Sequence, residues 1–266
     1  MRENLPGYTV IDIATPRSDL LCWTPGDDRQ SIAQQAREYN LTFIPVVTGG
    51  KITGLVTHAS LESDPEPDVK PLTADWLVAA DTPILKIIEL FAEQPDRIFL
   101  VLGASDIVGL VAPADLNRIP ARASIYLLIA SVEGSLGQLI RKVLPDEEAC
   151  SQYLSEARLS KLREQQQNAA SENLDLGLFD TLYFTDLIDI ARRDEQLQNL
   201  LGFTATKGKK FLKIRGVRDK VSHPIRPLIS SRKELRDLYE ICQLLFDLNG
   251  RVAEGHRQLD GRRLRE

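Results

Sequence analysis

The 266-residue sequence predicts an α+β protein, in which a repeated α/β module precedes an all-helical bundle. Residues 41–57 and 98–111 each hold two β-rich runs around a short turn. From Ala121 onward, apolar residues instead recur at intervals of three and four, without strand alternation. We therefore predict domains at residues 1–120 and 121–250, and a flexible Arg-rich tail at 251–266.

The first half repeats one pattern: a turn containing Pro, a helical segment, and two strands around a tight turn. The helical segments are predicted at 28–39 and 83–93, each after an N-terminal signal that includes Pro. The tripeptides that start at Gly54 and Gly109 both read Gly-Leu-Val and lie 55 residues apart. This period indicates a duplicated unit whose copies bury their sheets against each other.

The first copy, TPGDDRQSIAQQAREYNLTFIPVVTGGKITGLVTHASL, resembles a CBS module. The family pattern is a Pro-Val strand, a Gly turn, and then Gly-hydrophobic-hydrophobic-Thr-x-x-Asp. The resemblance implies a tandem (Bateman-type) pair with clefts for a regulatory adenine nucleotide, AMP, ADP or ATP. Thr57 occupies the threonine position of the first copy, and Asp115 the aspartate position of the second. Their side chains could bond ribose or phosphate oxygens.

Each copy also departs from the family pattern. Ser60 replaces the aspartate of the first copy and Ala112 the threonine of the second, so neither holds both polar groups. Asp115 could instead cap a helix that begins at Leu116. Ligand sensing and a purely structural or dimerising role therefore both remain open. The sequence has neither a Gly-x-Gly-x-x-Gly fingerprint nor a P-loop.

The second half predicts four or five helices, hence a bundle. The first is an amphipathic helix of about six turns that runs from about Ser124 and stops at Pro145. Further helices are expected at 147–169, 181–192, 209–222 and 234–248, with a loop or break at 171–180.

Charge is distributed unevenly along the chain. Residues 1–120 hold 9 basic and 17 acidic residues, whereas residues 121–266 hold 24 and 21. Residues 205–233 hold ten basic residues and a single acidic one, Asp219. This excess predicts an anionic partner for the second half, and the alternative is an ordinary solvated helix face.

The segment GKKFLKIRGVRDKVSHPI, which ends at Ile225, resembles the signature of HEPN-type helical domains. In that signature an Arg, a polar residue and, further on, a His lie near a helix end, as Arg218, Asp219 and His223 do here, followed by Pro224. The resemblance covers about residues 120–250. It implies a metal-independent endoribonuclease that acts as a homodimer, toxin-like in character, with an antitoxin or regulatory protein as a further partner.

The residues themselves support this chemistry. Asp219 and His223 are four apart, so a helix would place the carboxylate where it orients the imidazole. Pro224 disfavours helical geometry at His223, so we expect the helix to end there with the imidazole exposed. Arg218 lies about 140° round an ideal helix from His223, so convergence is not automatic, and two copies meeting across a dimer axis would bring both pairs to one phosphate. The alternative is that His223 caps a helix end and Arg218 is a surface residue. His223 would move the proton of the RNA 2′-hydroxyl or of the leaving oxygen, giving 2′,3′-cyclic phosphate ends, and Arg218 would stabilise the phosphate charge. Nearby cations would hold the RNA phosphates: Lys207, Lys209, Lys210, Lys213, Arg215, Lys220 and Arg226.

No metal or cofactor is required for this reaction, because RNA supplies its own nucleophile. The runner-up interpretation is a non-catalytic adaptor that senses a ligand and binds RNA or a protein partner, and the third is a dimeric scaffold. Sparse cysteines, no signal-peptide pattern and no stretch approaching roughly 20 apolar residues predict a cytoplasmic protein without a membrane partner.

Overall fold

A computed structural model describes residues 7–203, 210–211 and 213–263, with side chains up to residue 261. The fold is mixed α/β. The chain divides into a first unit, Met1–Ser124 with Ile229–Leu235, and a second unit, Ile125–Leu228 with Arg236–Glu266. The chain therefore leaves the first unit after Ser124, forms most of the second unit, and then contributes Ile229–Leu235 to the first unit.

The described elements are numbered in chain order. The strands are β1 (Thr15–Pro16), β2 (Phe43–Thr48), β3 (Lys51–Thr57), β4 (Lys70–Pro71), β5 (Leu77–Ala79), β6 (Phe99–Leu102) and β7 (Ile107–Val111). The helices are α1 (Arg29–Glu38), α2 (His58–Ser63), α3 (Ile84–Glu93), α4 (Ile119–Val143), α5 (Glu147–Ser151), α6 (Glu156–Ser171), α7 (Leu178–Thr181), α8 (Phe184–Arg193), α9 (Glu195–Leu201), α10 (Ile214–Ser222) and α11 (Arg232–Arg263). Short 3-10 helices lie at Val10–Asp12, Arg17–Asp19, Ala74–Trp76 and Pro113–Asn117.

The first unit confirms the predicted repeat. β2 and β3 form an antiparallel hairpin, and so do β6 and β7. The register of each hairpin is interrupted at matching places, between Val46 and Val47 and between Val101 and Leu102, again 55 residues apart. The helices α1 and α3 precede the hairpins at the predicted positions.

Each hairpin gains an additional two-residue strand from the segment that precedes the other copy. β1 pairs with β7, and β4 pairs with β3, both antiparallel. Both end in Pro, which lacks an amide donor and is tolerated at a sheet edge. A Cβ on Gly54 would lie 2.7 Å from the Lys70 carbonyl oxygen, and one on Gly109 would lie 2.6 Å from that of Thr15. The repeated glycines therefore leave room for these edge strands.

Two apolar clusters stabilise the first unit. One belongs to the first copy and packs Trp23 and Ala36 against β2, β3 and α2. The other joins both copies, because Ile52 and Leu55 of the first pack with Leu100 and Ile107 of the second. The copies therefore share a core, as the duplicated pattern predicts.

The core of the second unit includes α4, whose Ile125, Leu128, Val132 and Leu136 are fully buried. This helix corrects the expectation that no stretch reaches the length of a membrane span. It has 25 residues and is apolar enough to cross a membrane by length and composition. Length and composition alone are weak grounds for a span, because core helices share them.

Two other expectations for the helical half are corrected. The region 147–169 contains two helices, α5 and α6, and the supposed break at 171–180 contains the start of α7. The chain also does not fray at Arg251, because α11 continues to Arg263. Val252 is buried, and the Arg251 guanidinium donates to the Leu201 carbonyl at 2.9 Å, which fastens this part of the helix.

Candidate functional site

Helix α10 carries the predicted Arg218–His223 motif. Ile214 and Val221 are buried, and Val217 and Arg218 are half-buried, so these four positions form the packing stripe of an amphipathic helix. Arg215 and Asp219 are exposed on the remainder of the helix. The pattern therefore directs Arg218 towards the interior of the second unit and Asp219 towards solvent.

His223 is the residue that ends α10. Its backbone leaves helical geometry (φ −116°, ψ 84°), and its carbonyl accepts the Arg226 amide at 3.0 Å, closing a turn. Pro224 explains the stop, since a following Pro disfavours helical geometry at the residue before it. The side chain of His223 is exposed and lies at the C-terminus of α10. The sequence-based expectation of an accessible histidine at a helix end is met.

The contact by which Asp219 was predicted to orient His223 is not formed. Within the described segment 213–263, the structure records no hydrogen bond or ion pair between Asp219 and His223. The physical reason is the non-helical backbone of His223, because the four-residue spacing makes neighbours only while the helix continues.

Arg218 has a partner that the sequence did not reveal. Its NH1 lies 3.6 Å from Oε1 of Glu133 on α4, and the two side chains are 36% and 23% exposed. Glu133 is a lone carboxylate among apolar residues of the predicted α4 stripe. That position was the available signal, because a half-buried carboxylate in a core helix needs a cation.

Exposed cations surround α10. Lys210, Lys213, Arg215 and Arg226 are exposed, and they are referred to below as the α10 cationic surface. Lys220 is half-buried, and its ammonium donates to the Leu228 carbonyl at 3.4 Å. Lys207 and Lys209 lie outside the described residues. Cations of this density suit an extended polyanion better than a single small anion.

The predicted nucleotide ligands of the first unit are used within the fold. Thr57 caps α2, because its hydroxyl accepts the Ser60 amide at 3.2 Å. The Ser60 hydroxyl in turn donates to Asp64 at 2.5 Å and accepts the Asp68 amide at 2.8 Å. The first copy therefore turns its motif into a local hydrogen-bond network.

Asp115 is 9% exposed and caps the 3-10 helix Pro113–Asn117. Its Oδ2 accepts the Ala112 amide at 2.8 Å, and its Oδ1 lies 2.9 Å from the Arg118 guanidinium. Burial raises the pKa of this carboxyl above its usual value, although the Ala112 hydrogen bond and the Arg118 charge act in the opposite direction. Asp115 therefore does not precede a helix that begins at Leu116, as the alternative expected; it lies inside a 3-10 helix, and its carboxylate accepts from the residue before that helix.

Two surface hollows lie apart from all of these residues. One, of about 690 Å³, is lined by α6 and includes Arg163. The other, of about 660 Å³, includes Tyr153 and Asp194. Neither includes a residue predicted for catalysis, RNA binding or nucleotide binding.

No family model matches the chain, and no curated protein matches it. Solved structures of CBS-domain pairs are similar to part of it. The CBS-pair protein CBSX2 from Arabidopsis thaliana shares 20% identity over 46% of this chain and 96% of its own, with a TM-score of 0.36. The structure of CBSX2 in complex with AMP shares 20% identity over 46% of this chain and 98% of its own, with a TM-score of 0.37. A CBS-domain pair with bound AMP from Klebsiella pneumoniae shares 20% identity over 41% of this chain and 94% of its own, with a TM-score of 0.33.

Proposed function

We propose that the helical unit binds RNA at the α10 cationic surface and cleaves it as an endoribonuclease, with His223 as the proton-transfer group. The observation that carries the proposal is an exposed imidazole at the end of a helix whose neighbourhood is rich in exposed cations. An imidazole exchanges protons near neutral pH, and the cations would hold phosphates beside it.

The proposed reaction uses the nucleophile that RNA carries. The 2′-oxygen forms a bond to the adjacent phosphorus and the bond from phosphorus to the 5′-oxygen breaks, leaving a 2′,3′-cyclic phosphate and a 5′-hydroxyl. One imidazole accepts the 2′-hydroxyl proton and an imidazolium donates a proton to the leaving oxygen. Arg218 would stabilise the charge that develops on the phosphate.

One copy of the chain does not bring these groups together. Arg218 lies on the packing stripe of α10 and contacts Glu133, whereas His223 follows the end of the helix and is exposed. A homodimer in which two α10 helices meet would supply a second imidazole and a second guanidinium to one phosphate. The catalytic proposal therefore includes self-association.

The test is cleavage of a structured RNA in the presence of EDTA. The wild-type protein should cleave it, and His223→Ala should lose at least about 100-fold in rate, the usual contribution of general acid–base catalysis. His256→Ala is the matched control, because that imidazole lies on α11 and contacts the Ser135 carbonyl. Equal cleavage by wild-type and His223→Ala would overturn the proposal.

The Arg218–Glu133 pair favours a second candidate, a non-catalytic RNA-binding adaptor, because a guanidinium that already has a carboxylate partner need not act on phosphate. For this candidate RNA binds without being cut. Lys213→Ala and Arg215→Ala should then each weaken binding and each reduce the slope of log K against log salt by about 1. Unchanged slopes would place the RNA elsewhere.

For the first unit we propose regulation by an adenine nucleotide at the Asp115 position. The support is the CBS-like motif and a buried carboxylate whose ionised form is disfavoured by its surroundings. Calorimetry with AMP, ADP and ATP should detect binding that is lost in Asp115→Ala and retained in Ser60→Ala. If calorimetry detects no binding of any of the three nucleotides, a structural, dimerising role remains for the repeat.

A further inference from the structure

The segment Ile229–Leu235 follows the predicted RNA site but belongs to the first unit. Its first residue, Ile229, is 7% exposed and comes six residues after His223. This is the place where a residue of the first unit lies closest in sequence to His223. The contacts that fix Ile229 therefore also fix one end of the loop that joins it to His223.

Asn117 holds Ile229 by its backbone. The Asn117 amide nitrogen donates to the Ile229 carbonyl at 3.1 Å, and the Ile229 amide donates to the Asn117 side-chain oxygen, also at 3.1 Å. This paired contact satisfies both polar groups of one residue, much as a strand neighbour would. We refer to it as the Asn117 clasp. A further ion pair joins the exposed side chains of Arg232 and Asp96, and its exposure makes it a minor contribution.

The clasp originates in the same short helix that Asp115 caps. Asn117 is the last residue of Pro113–Asn117, and the Asp115 carboxylate closes the start of that helix through the Ala112 amide. The Asn117 carbonyl also accepts from the Arg122 guanidinium at 3.0 Å, and Arg122 is 4% exposed. Both ends of this five-residue helix are therefore held by side chains, by Asp115 at its start and by Arg122 at its end.

We propose that the Pro113–Asn117 helix is a relay, in which the state of Asp115 is transmitted through the Asn117 clasp to the loop of residues 223–228. Any effect of the relay on RNA rests on the proposed function, because that loop bears His223 and Arg226. A ligand that took the Asp115 carboxylate from Ala112 and Arg118 would loosen the helix and release Ile229. The loop would then lose the restraint at Ile229 and keep those within residues 220–228, which include the bond from Lys220 to the Leu228 carbonyl.

The first copy of the repeat provides a matched control. The position 55 residues before Asn117 is Glu62, which lies in α2 and pairs with Arg37 on α1. Glu62→Ala removes a side chain at the equivalent place of the first copy, where its partner is Arg37 and not Ile229. Differences between Asn117→Ala and Glu62→Ala therefore report the clasp rather than general loss of stability.

The test is amide hydrogen exchange of the full chain over residues 223–231. Asn117→Ala should accelerate exchange of the Ile229 amide by roughly ten-fold, as expected when a hydrogen bond is lost, and Asp115→Ala should do the same at a distance. Glu62→Ala should leave this segment unchanged. Asn117→Asp keeps the acceptor but loses the donor, and should give an intermediate effect if Asn117→Ala proves poorly folded.

The outcomes separate the relay from the proposed function. If Asn117→Ala accelerates exchange but Asp115→Ala does not, the clasp exists without transmission and the relay is refuted; unchanged exchange in both variants also refutes it. If exchange responds as expected while the wild-type protein neither binds nor cuts RNA, the relay stands and the RNA proposal fails.

Discussion

At the scale of single residues, the buried carboxyl of Asp115 links stability to pH. Burial raises its pKa, so the folded pKa lies above the ordinary value of 3.8. A group with a raised folded pKa contributes most to stability below its unfolded pKa, and this contribution is lost as pH rises through the folded pKa. Ionised Asp115 therefore costs stability at neutral pH.

Asp115→Asn should accordingly be more stable than wild type at pH 7, by up to about 1 kcal/mol, because the amide oxygen can still accept from Ala112 without a buried charge. The difference in free energy of unfolding between the variant and the wild type should shrink as pH falls towards 4. Urea unfolding followed by tryptophan fluorescence measures this directly, since Trp23 and Trp76, the two tryptophans of the sequence, both lie in the first unit. A variant that is less stable at pH 7 would show that the Arg118 ion pair dominates.

The three cysteines should differ in reactivity. Burial raises the pKa of Cys150 to about 11 and of Cys242 to about 12, so neither holds appreciable thiolate at pH 8. Cys22 is half-buried, and Arg17 partly offsets the rise in its pKa. Iodoacetamide should modify Cys22 first in the native protein, as read by mass spectrometry. Native labelling of Cys242 as fast as Cys22 would contradict the buried core of the second unit.

At the scale of elements, the edge strands make a prediction about glycine. Gly54→Ala and Gly109→Ala should each cost about 1–3 kcal/mol, because the added Cβ meets a backbone carbonyl of the neighbouring strand. Gly134→Ala is the control: its Cβ has nothing within 4 Å, and alanine in helix α4 should instead gain about 0.5–1 kcal/mol. Thermal unfolding followed by circular dichroism measures all three. Tolerance of both strand substitutions would argue against β1 and β4 as paired strands.

The elements also show what local sequence can predict. The hairpin β2–β3 follows from Val- and Ile-rich runs around Gly49 and Gly50, both of which have positive φ. β1 and β4 could not be predicted in this way, because a two-residue strand that ends in Pro has no pattern of its own and forms only by tertiary pairing. The extension of α11 was detectable, since Leu245, Leu248 and Val252 continue its buried stripe.

For the candidate site, sequence was sufficient for position but not for partners. Pro224 predicted that His223 ends a helix, and the accessible imidazole follows. The Asp219–His223 contact was expected from spacing and is not formed, because the helix ends before the spacing is completed. Glu133 and Asn117 act on residues 85 and 112 positions away, at distances that no local pattern covers.

At the scale of the whole molecule, the chain joins a duplicated α/β unit to a helical unit that bears the α10 cationic surface. The first unit has an excess of acidic residues and the region 205–233 is strongly basic, so a polyanion should be drawn to the second half. Regulation by the first unit would act through the return of the chain at Ile229.

The measurement that tests the central claim most directly compares two oligonucleotides of the same sequence, one RNA and one with deoxyribose throughout, incubated with the wild-type protein in EDTA. We predict that the RNA is cut to fragments with 2′,3′-cyclic phosphate ends, while the DNA is left intact, because the attacking 2′-oxygen belongs to the substrate. Cleavage of both at similar rates, or of neither, would contradict the account.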